Sequence, residues 1–389
     1  MALVKTPLYW RLSAFYFFYF ASIGTLIPYW GLYLQSQGFG AQQIAFLIAI
    51  IMGTKIIAPN IWGWIADHTG RRIYVIRIAS FFTIICFLGV FISLEYLWLT
   101  MVMIAFSFFW NANLPQFEAL TLNHLGKDTN RYSSIRLWGS FGFVLLVVIL
   151  GVVFENYGVE LFPWIFTLLL IGIWACSFLV KDQKSVSHDS TSVSLLTVLK
   201  QPRVSVFLLI CFLLQASHGP YYAFYSIYLE QHSYSRTLIG QLWALGVIAE
   251  IVIFLVMHQL LPKYGVRTLL VISLILTGLR WLMIGYFVEW FPALVIAQCF
   301  HAASFGVFHA VAIFLIHQYF PGSVQGRGQA LYSSLSFGAG GAVGAIYSGY
   351  TWEGLGPTMS FNIAAIISFA AVFLAYSCVK KETGLGGKL

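Results

Sequence analysis

Charge is scarce in this chain. Lys, Arg, Asp and Glu make up 9% of its 389 residues, against 60% hydrophobic and 18% aromatic, a balance that cannot cover the surface of a water-soluble domain of this length. Cysteine is scarce as well: Cys86, Cys176, Cys211, Cys299 and Cys378 stand singly in apolar segments, so neither a disulfide framework nor a metal site is indicated. No nucleotide-binding loop and no soluble domain can be marked, which argues against direct ATP drive. The chain opens on an apolar stretch of span length with no small-residue cleavage site after it, so that first segment is expected to be retained.

What the chain does have is apolar runs. Twelve can be marked, at residues 8–34, 42–65, 73–92, 97–124, 132–154, 161–180, 204–229, 238–261, 268–288, 292–317, 328–350 and 357–379. Each is close to the roughly 20 residues that cross a hydrocarbon core of about 30 Å. Several begin or end on Tyr or Trp, as an interfacial belt does. The fold class that follows is all-α, an integral membrane protein of twelve transmembrane helices.

The net charge of +8 sorts by loop. Lys5, Arg71, Arg72, Lys127, Arg131, Lys181, Lys184, Lys200, Arg203, Lys263, Arg267, Arg327, Lys380, Lys381 and Lys388 fall at one set of ends. Glu95, Glu155, Glu160, Glu230, Glu289 and Glu353 mark the other, with Arg236 the one base there. The positive-inside rule then puts both termini and the middle loop in the cytoplasm, and the expected address is the cell inner membrane. The basicity reads as topology, with the lipid bilayer as partner and no nucleic acid.

A polar stretch containing Ser185-Val186-Ser187-His188-Asp189-Ser190-Thr191-Ser192 cannot enter a membrane and reads as a linker. It divides the chain into a bundle at 1–180, a cytoplasmic linker at 181–203 and a second bundle at 204–389, with six spans on each side. An offset of 195 superposes Ala21-Ser22 on Ala216-Ser217, Gly24 on Gly219, Tyr33-Leu34 on Tyr228-Leu229, Ile44 on Ile239 and Gly70 on Gly265. At an offset of 196, Arg131 meets Arg327 and Ser140-Phe141-Gly142 meets Ser336-Phe337-Gly338. One register held over several spans favours two duplicated, pseudo-symmetric six-helix bundles, the build of a rocking transporter.

Five charges lie inside apolar runs: Lys55, Glu118, Arg136, Glu250 and Arg280. An ionisable side chain there costs about 2.5–3.5 kcal/mol on insertion scales, so each is a functional candidate. Glu118 and Arg136 flank residue 127 symmetrically and should reach similar depth on adjacent antiparallel helices, able to pair. Glu250 and Arg280 flank Gly265 in the same way, roughly 22 Å in at 1.5 Å per residue. Lys55 precedes Asp67 by twelve residues, which places it about 18 Å from the helix end, near mid-membrane. Asn111 and Pro115 share a stripe with Glu118, and Trp243 and Gly246 share one with Glu250. In the tenth span Gln298 and His301 share a face, and His309 lies two turns on and about 80° round. Two histidines near a Glu and an Arg suggest a proton relay, and the alternative is hydrogen-bonded structural groups.

The clearest local motif is Gly63-Trp64-Ile65-Ala66-Asp67-His68-Thr69-Gly70-Arg71-Arg72. It resembles the loop signature of the major facilitator superfamily, G-x-x-x-D-[RK]-x-G-[RK]-[RK], with His68 where a base is usual. The resemblance implies a gating loop built on Gly63, Asp67, Gly70, Arg71 and Arg72. The second copy, Pro262-Lys263-Tyr264-Gly265-Val266-Arg267, has Pro262 in place of the acid. Glu118 with Arg136, Glu250, Arg280, and His301 or His309 resemble the charge constellation of the lactose permease-type oligosaccharide:proton symporters. There the fourth- and fifth-span pair and the eighth-span Glu bind substrate, while the ninth-span Arg and the tenth-span His and Glu handle the proton. This chain has no Glu after either histidine, which makes Glu250 the substitute proton acceptor.

Leu214-Gln215-Ala216-Ser217-His218-Gly219-Pro220-Tyr221-Tyr222, Tyr234-Ser235, Leu242 to Glu250, Arg280-Trp281 and Arg136-Leu137-Trp138-Gly139-Ser140 are similar to the 3-phenylpropionic acid transporter family. That resemblance implies symport of an aromatic monocarboxylate with a proton, and no cofactor beyond that coupling ion. Such a substrate needs an aromatic slot and a positive anchor. Tyr29, Trp30, Trp110, Tyr221, Tyr222, Tyr225 and Trp243 can line the slot, although each could equally pack in the bundle or at the interface. Lys55 or Arg136 can take the carboxylate, with Asn111, Glu118 and Gln298 as further contacts. Lys55 could instead serve as a structural partner for Glu118 or a helix carbonyl. Glu250, Arg280, His301 and His309 are the proton-coupling set. The chain is expected to act as a monomer and not as an enzyme; a membrane-bound acid–base enzyme would leave the repeat and the loop without a role. A sugar or nucleoside symporter is the competing transport reading, and it does not require Lys55.

Overall fold

The computed structural model describes residues 7–126, 128, 131–182 and 195–378. Lys5, Lys127, Lys184, Lys380, Lys381, Lys388 and residues 183–194 of the linker lie outside the described residues. Within them the chain is helical and contains no strand, because backbone N–H and C=O groups in hydrocarbon must be paired within their own segment.

Eleven helices are long and apolar enough to cross a membrane. They are span 1 (Pro7–Ser36), span 2 (Ala41–Thr69), span 3 (Arg72–Phe91), span 4 (Tyr96–Leu125), span 5 (Tyr132–Tyr157), span 6 (Val159–Phe178), span 7 (Pro202–Gln231), span 8 (Arg236–Tyr264), span 9 (Val266–Tyr286), span 10 (Phe291–Tyr319) and span 12 (Pro357–Ser377). The twelfth expected helix, span 11, is also there. It runs as α-helix over Gln325–Ser333, as π-helix over Ser334–Gly340 and as α-helix again over Gly341–Leu355. Span 10 carries a second π segment at Ala302–Val307. Span 7 breaks at His218, where Pro220 lacks the N–H needed to continue the ladder. Large apolar side chains such as Ile57, Trp64, Leu168, Leu255 and Phe373 are more than half exposed, a surface suited to lipid rather than water.

The described residues fall into two compact units, one within Met1–Ser187 together with Tyr234–Ala244, the other within His188–Ser233 together with Leu245–Leu389. Their internal packing follows one plan. In the first, span 1 packs on spans 5 and 6, and span 3 on spans 4 and 6; in the second, span 7 packs on spans 11 and 12, and span 9 on spans 10 and 12. Each partner has moved on by six spans, as duplicated halves require. Gly24 and Gly219, superposed by the sequence offset, both sit at helix crossings. A Cβ on Gly24 would strike the Phe143 carbonyl, and one on Gly219 the Gly344 backbone, so small residues set how closely these helices approach.

The first unit also holds the opening turns of span 8. The Arg236 amide donates to the Glu155 carboxylate at 2.6 Å, and its guanidinium to the Phe154 carbonyl at 2.9 Å. One turn on, Gly240 lies against span 5 so closely that a Cβ would come within 2.6 Å of the Tyr29 hydroxyl and into the Val147 carbonyl. Gly240→Ala is therefore expected to lower the thermal midpoint by about 1–4 °C, the range that overpacking of about 1–3 kcal/mol gives in a chain of this size. Gly326→Ala, where a Cβ would meet nothing within 4 Å, serves as the control and should leave the midpoint in place. A fluorescence-monitored melt of the two variants checks this, and equal midpoints would exclude the close packing of span 8 on span 5.

Candidate functional site

The 63–72 loop folds as its motif requires. Gly70 takes the left-handed conformation (φ +63°) and closes span 2, its amide bonding to the Ala66 carbonyl. That turn returns Arg72 to Asp67, with Nη2 and Oδ1 2.5 Å apart, while Arg72 Nη1 donates to Gln116 of span 4 at 2.7 Å. Gly63 faces the same glutamine, leaving room for its amide. One guanidinium thus ties three spans together. Arg71 is exposed. In the second copy Arg267 has no acid to meet; it donates to the Tyr376 carbonyl and lies over the Tyr376 ring at 4.4 Å.

The three buried-run charges of the first unit are all half-buried, and their partners differ from those expected. Glu118 and Arg136 form no ion pair. Glu118 accepts a hydrogen bond from the Tyr132 hydroxyl at 3.2 Å, while the Arg136 guanidinium lies 3.6 Å from the centre of the Phe20 ring and 5.8 Å from that of Tyr16, a cation–π contact. Both nonetheless lie beside the same tyrosines, since Tyr132, which bonds to Glu118, is edge-on to Tyr16, and Tyr16 faces Arg136. Lys55 meets only the Met52 sulfur, at 3.7 Å, and no carboxylate lies within 4 Å of it among the described residues.

Asn111 and Tyr29, read as substrate contacts, are engaged by the fold. Asn111 donates to the Ile51 carbonyl at 3.0 Å and to Thr54 at 2.9 Å, joining spans 4 and 2. Tyr29 is fully buried and donates to the Val147 carbonyl at 2.6 Å. Trp30 stacks on Tyr33 and packs on Phe162, and Trp110 stacks on Tyr19. Trp243, in the part of span 8 belonging to this unit, is buried.

In the second unit spans 8, 9 and 10 converge. A Cβ on Gly246 would lie 3.2 Å from Gln298 Oε1 and 3.3 Å from His301, and one on Gly306 would lie 3.4 Å from Glu250 Cγ. These two glycines let Glu250 reach His301, whose Nε2 is 3.6 Å from Oε2. The other ring nitrogen, Nδ1, faces Arg280 Nη1 at 3.1 Å. The direct Glu250–Arg280 pairing expected from depth is thus replaced by a bridge through His301. An arginine can only donate, so Nδ1 must accept and the imidazole proton sits on Nε2, toward the carboxylate.

Arg280 is fully buried. It also donates to Ser304 at 3.0 Å and Gln298 at 3.4 Å, and its guanidinium lies 4.1 Å from the centre of the Tyr221 ring. Tyr222 and Tyr225 adjoin Tyr221, at 5.4 and 4.9 Å between ring centres, and Tyr222 stacks on His218. Arg280 Nε, Gln298 Nε2 and His218 Nε2 are buried without a hydrogen-bond partner, leaving hydrogen-bonding capacity for water or a ligand. His309 is brought onto the His301 face by the π segment, whose wider turn places His301, Phe305 and His309 in one near-parallel ring column with 5.7 Å steps. His309 itself bonds to the Tyr332 hydroxyl at 3.1 Å.

Tyr132, Phe20, Ser304 and Gln116 escaped the sequence reading. Tyr132 was legible, since it precedes Arg136 by one helical turn on the face that meets Glu118. Phe20 is one of many phenylalanines in span 1 and gives no such signal.

Two repeated six-span units, a charge-locked loop and membrane-buried acid, base and imidazole groups define a membrane carrier. The chain belongs to the MFS_1-like family, whose model matches residues 9–363. It is 29% identical over 368 residues to the probable 3-phenylpropionic acid transporter of Escherichia coli (strain K12), with 92% of this chain and 95% of that protein covered. It is 24% identical over 375 residues to the maltose permease of Geobacillus stearothermophilus, with 92% of each covered. A crystal structure of a point mutant of the nucleoside transporter NupG superposes with a TM-score of 0.86 at 17% identity, covering 96% of this chain and 100% of that one. These relatives are all transporters.

Proposed function

We propose that the protein is a proton-coupled symporter that takes up a small aromatic carboxylate, 3-phenylpropionate or a near analogue, by alternating access. In this reading it works as a monomer in the cell inner membrane with both termini in the cytoplasm, and needs no cofactor beyond the proton. The observation that carries the reading is Lys55, a cation on a membrane helix whose one close polar contact among the described residues is a thioether. Arg136, with its charge on an aromatic face, is a second anchor. The name of the 29% identical relative points to the same substrate. A sugar or nucleoside has no charge that would call for either cation.

Proton coupling rests on the Glu250–His301–Arg280 bridge. With Glu250 ionised, its charge and that of Arg280 cancel across a neutral imidazole. Protonation of Glu250 leaves the carrier with one positive charge in excess, and the incoming carboxylate, bound at Lys55 or Arg136, restores the overall balance. The order is therefore proton first and anion second, with release in the reverse order after reorientation. Proteoliposomes carrying the purified protein should accumulate 3-phenylpropionate when the outside is acidified, and an uncoupler should abolish that accumulation. Uptake indifferent to the uncoupler would refute the coupling, and uptake of maltose or uridine in place of the acid would refute the substrate class.

A further inference from the structure

The proposed cycle uses Glu250 but leaves Glu118 unexplained. Glu118 sits in span 4 without a cation within 4 Å among the described residues, and its one hydrogen bond comes from the neutral Tyr132 hydroxyl. The neighbouring positive group, Arg136, is held over Phe20 instead. The other titratable groups around it are Tyr16 and Tyr19 of span 1, with Tyr16 edge-on to Tyr132. Arg72, which reaches Gln116 on the same helix, is already paired with Asp67. An ionised carboxylate on a membrane helix, hydrogen-bonded by a phenol and without an ion-pair partner within 4 Å among the described residues, is poorly compensated. A sugar could use it as a hydroxyl acceptor. A monocarboxylate cannot, because two anions near one guanidinium repel each other unless one of them carries a proton.

We infer that Glu118 is a second proton-binding site, filled whenever the substrate carboxylate docks in the first unit at Lys55 or Arg136, so that each monoanion crosses with two protons and one net positive charge. This rests on the proton-coupled reading above and adds the charge stoichiometry to it. Glu250 takes one proton in the second unit and Glu118 takes the other in the first. Both are released as the anion leaves. The cycle then draws on the membrane potential as well as on the pH gradient, which a one-proton cycle with a monoanion does not.

The test uses full-length protein in proteoliposomes with 3-phenylpropionate as probe, and measures uptake together with charge movement on a solid-supported membrane. Wild type should show an inward positive current on substrate addition, one charge per molecule taken up, and faster uptake when the interior is made negative. Glu118→Gln should lose the net charge and the response to potential while remaining driven by the pH gradient. Tyr132→Phe removes the one hydrogen bond that favours the ionised form of Glu118, so its uptake profile should move toward alkaline pH by about one unit.

Uptake in wild type that follows the pH gradient but carries no charge overturns the second proton and leaves the symport reading standing. Absence of uptake driven by the pH gradient overturns the symport reading itself. A Glu118→Gln protein that still moves one charge per substrate also excludes Glu118. Should that variant fail to give a monodisperse protein, the wild-type charge and the Tyr132→Phe profile decide, and a profile superposing on wild type counts against the proposal.

Discussion

Lys55→Ala is expected to weaken binding of 3-phenylpropionate by roughly thirtyfold or more, the effect of removing one partner of a desolvated charge pair, about 2–5 kcal/mol. The same substitution should leave the thermal midpoint of the substrate-free protein unchanged or raise it. Lys55 has no carboxylate within 4 Å among the described residues, and its ammonium bonds to the Met52 sulfur, so truncation strands no counter-ion. It removes a charge whose insertion costs about 2.5–3.5 kcal/mol at mid-span. A lysine that held the bundle together would behave in the opposite way, with loss of stability and retained affinity. Measuring both quantities on one preparation, affinity by calorimetry and midpoint by fluorescence, separates the two roles. Retained affinity with a lowered midpoint would return Lys55 to the scaffold and leave Arg136 as the anchor.

The fold could be read from the sequence because the membrane enforces it. Apolar runs of span length have one structure open to them, and Gly219-Pro220 announced the break in span 7. The π segments at Ala302–Val307 and Ser334–Gly340 were not announced. Each widens one helical turn, and no residue type marks that choice. Phe305 and Phe337, one from each segment, lie with ring centres 6.2 Å apart. The 63–72 loop was legible to the level of its ion pair because each residue has a local role: Gly70 needs positive φ, and Asp67 and Arg72 stand one turn apart across it.

The charged site was legible in depth but not in pairing. Counting residues from a turn put Glu118 and Arg136 at one level, but it could not show that Phe20 would hold the guanidinium. In the same way it set Glu250 and Arg280 at one level without showing that His301 would stand between them. Asn111 and Tyr29 show the other limit. Helical spacing gives the face a polar side chain occupies, and not whether that face meets a ligand or a backbone carbonyl. Inside a membrane an unmet polar group is costly enough that the nearest carbonyl often takes it, as Ile51 does for Asn111 and Val147 for Tyr29.

Glu250→Gln is expected to abolish net, gradient-driven uptake while preserving exchange of substrate across the membrane. The glutamine carbonyl can still face His301 Nε2, as the carboxylate does at 3.6 Å, so the bridge keeps its shape. The amide carries no charge and mimics the protonated acid, which is the form proposed to reorient with substrate bound. The empty carrier differs. Its return requires Arg280, fully buried, to be balanced by an ionised Glu250, and with glutamine there the guanidinium stays uncompensated. A buried charge that has lost its partner costs about 3–5 kcal/mol. If that falls on the return step, net uptake slows by roughly two to four orders of magnitude, since each 1.36 kcal/mol is tenfold in rate. Exchange bypasses the empty return, because a second substrate rides back in place of the first. Counterflow measured in preloaded proteoliposomes beside gradient-driven uptake distinguishes these steps. Full gradient-driven uptake in the variant would remove Glu250 from the proton route, and loss of counterflow together with uptake would mean that it binds substrate directly. Arg136 is only half-buried where Arg280 is fully buried, and that asymmetry is why Glu118→Gln should change the charge moved per substrate without stopping the cycle.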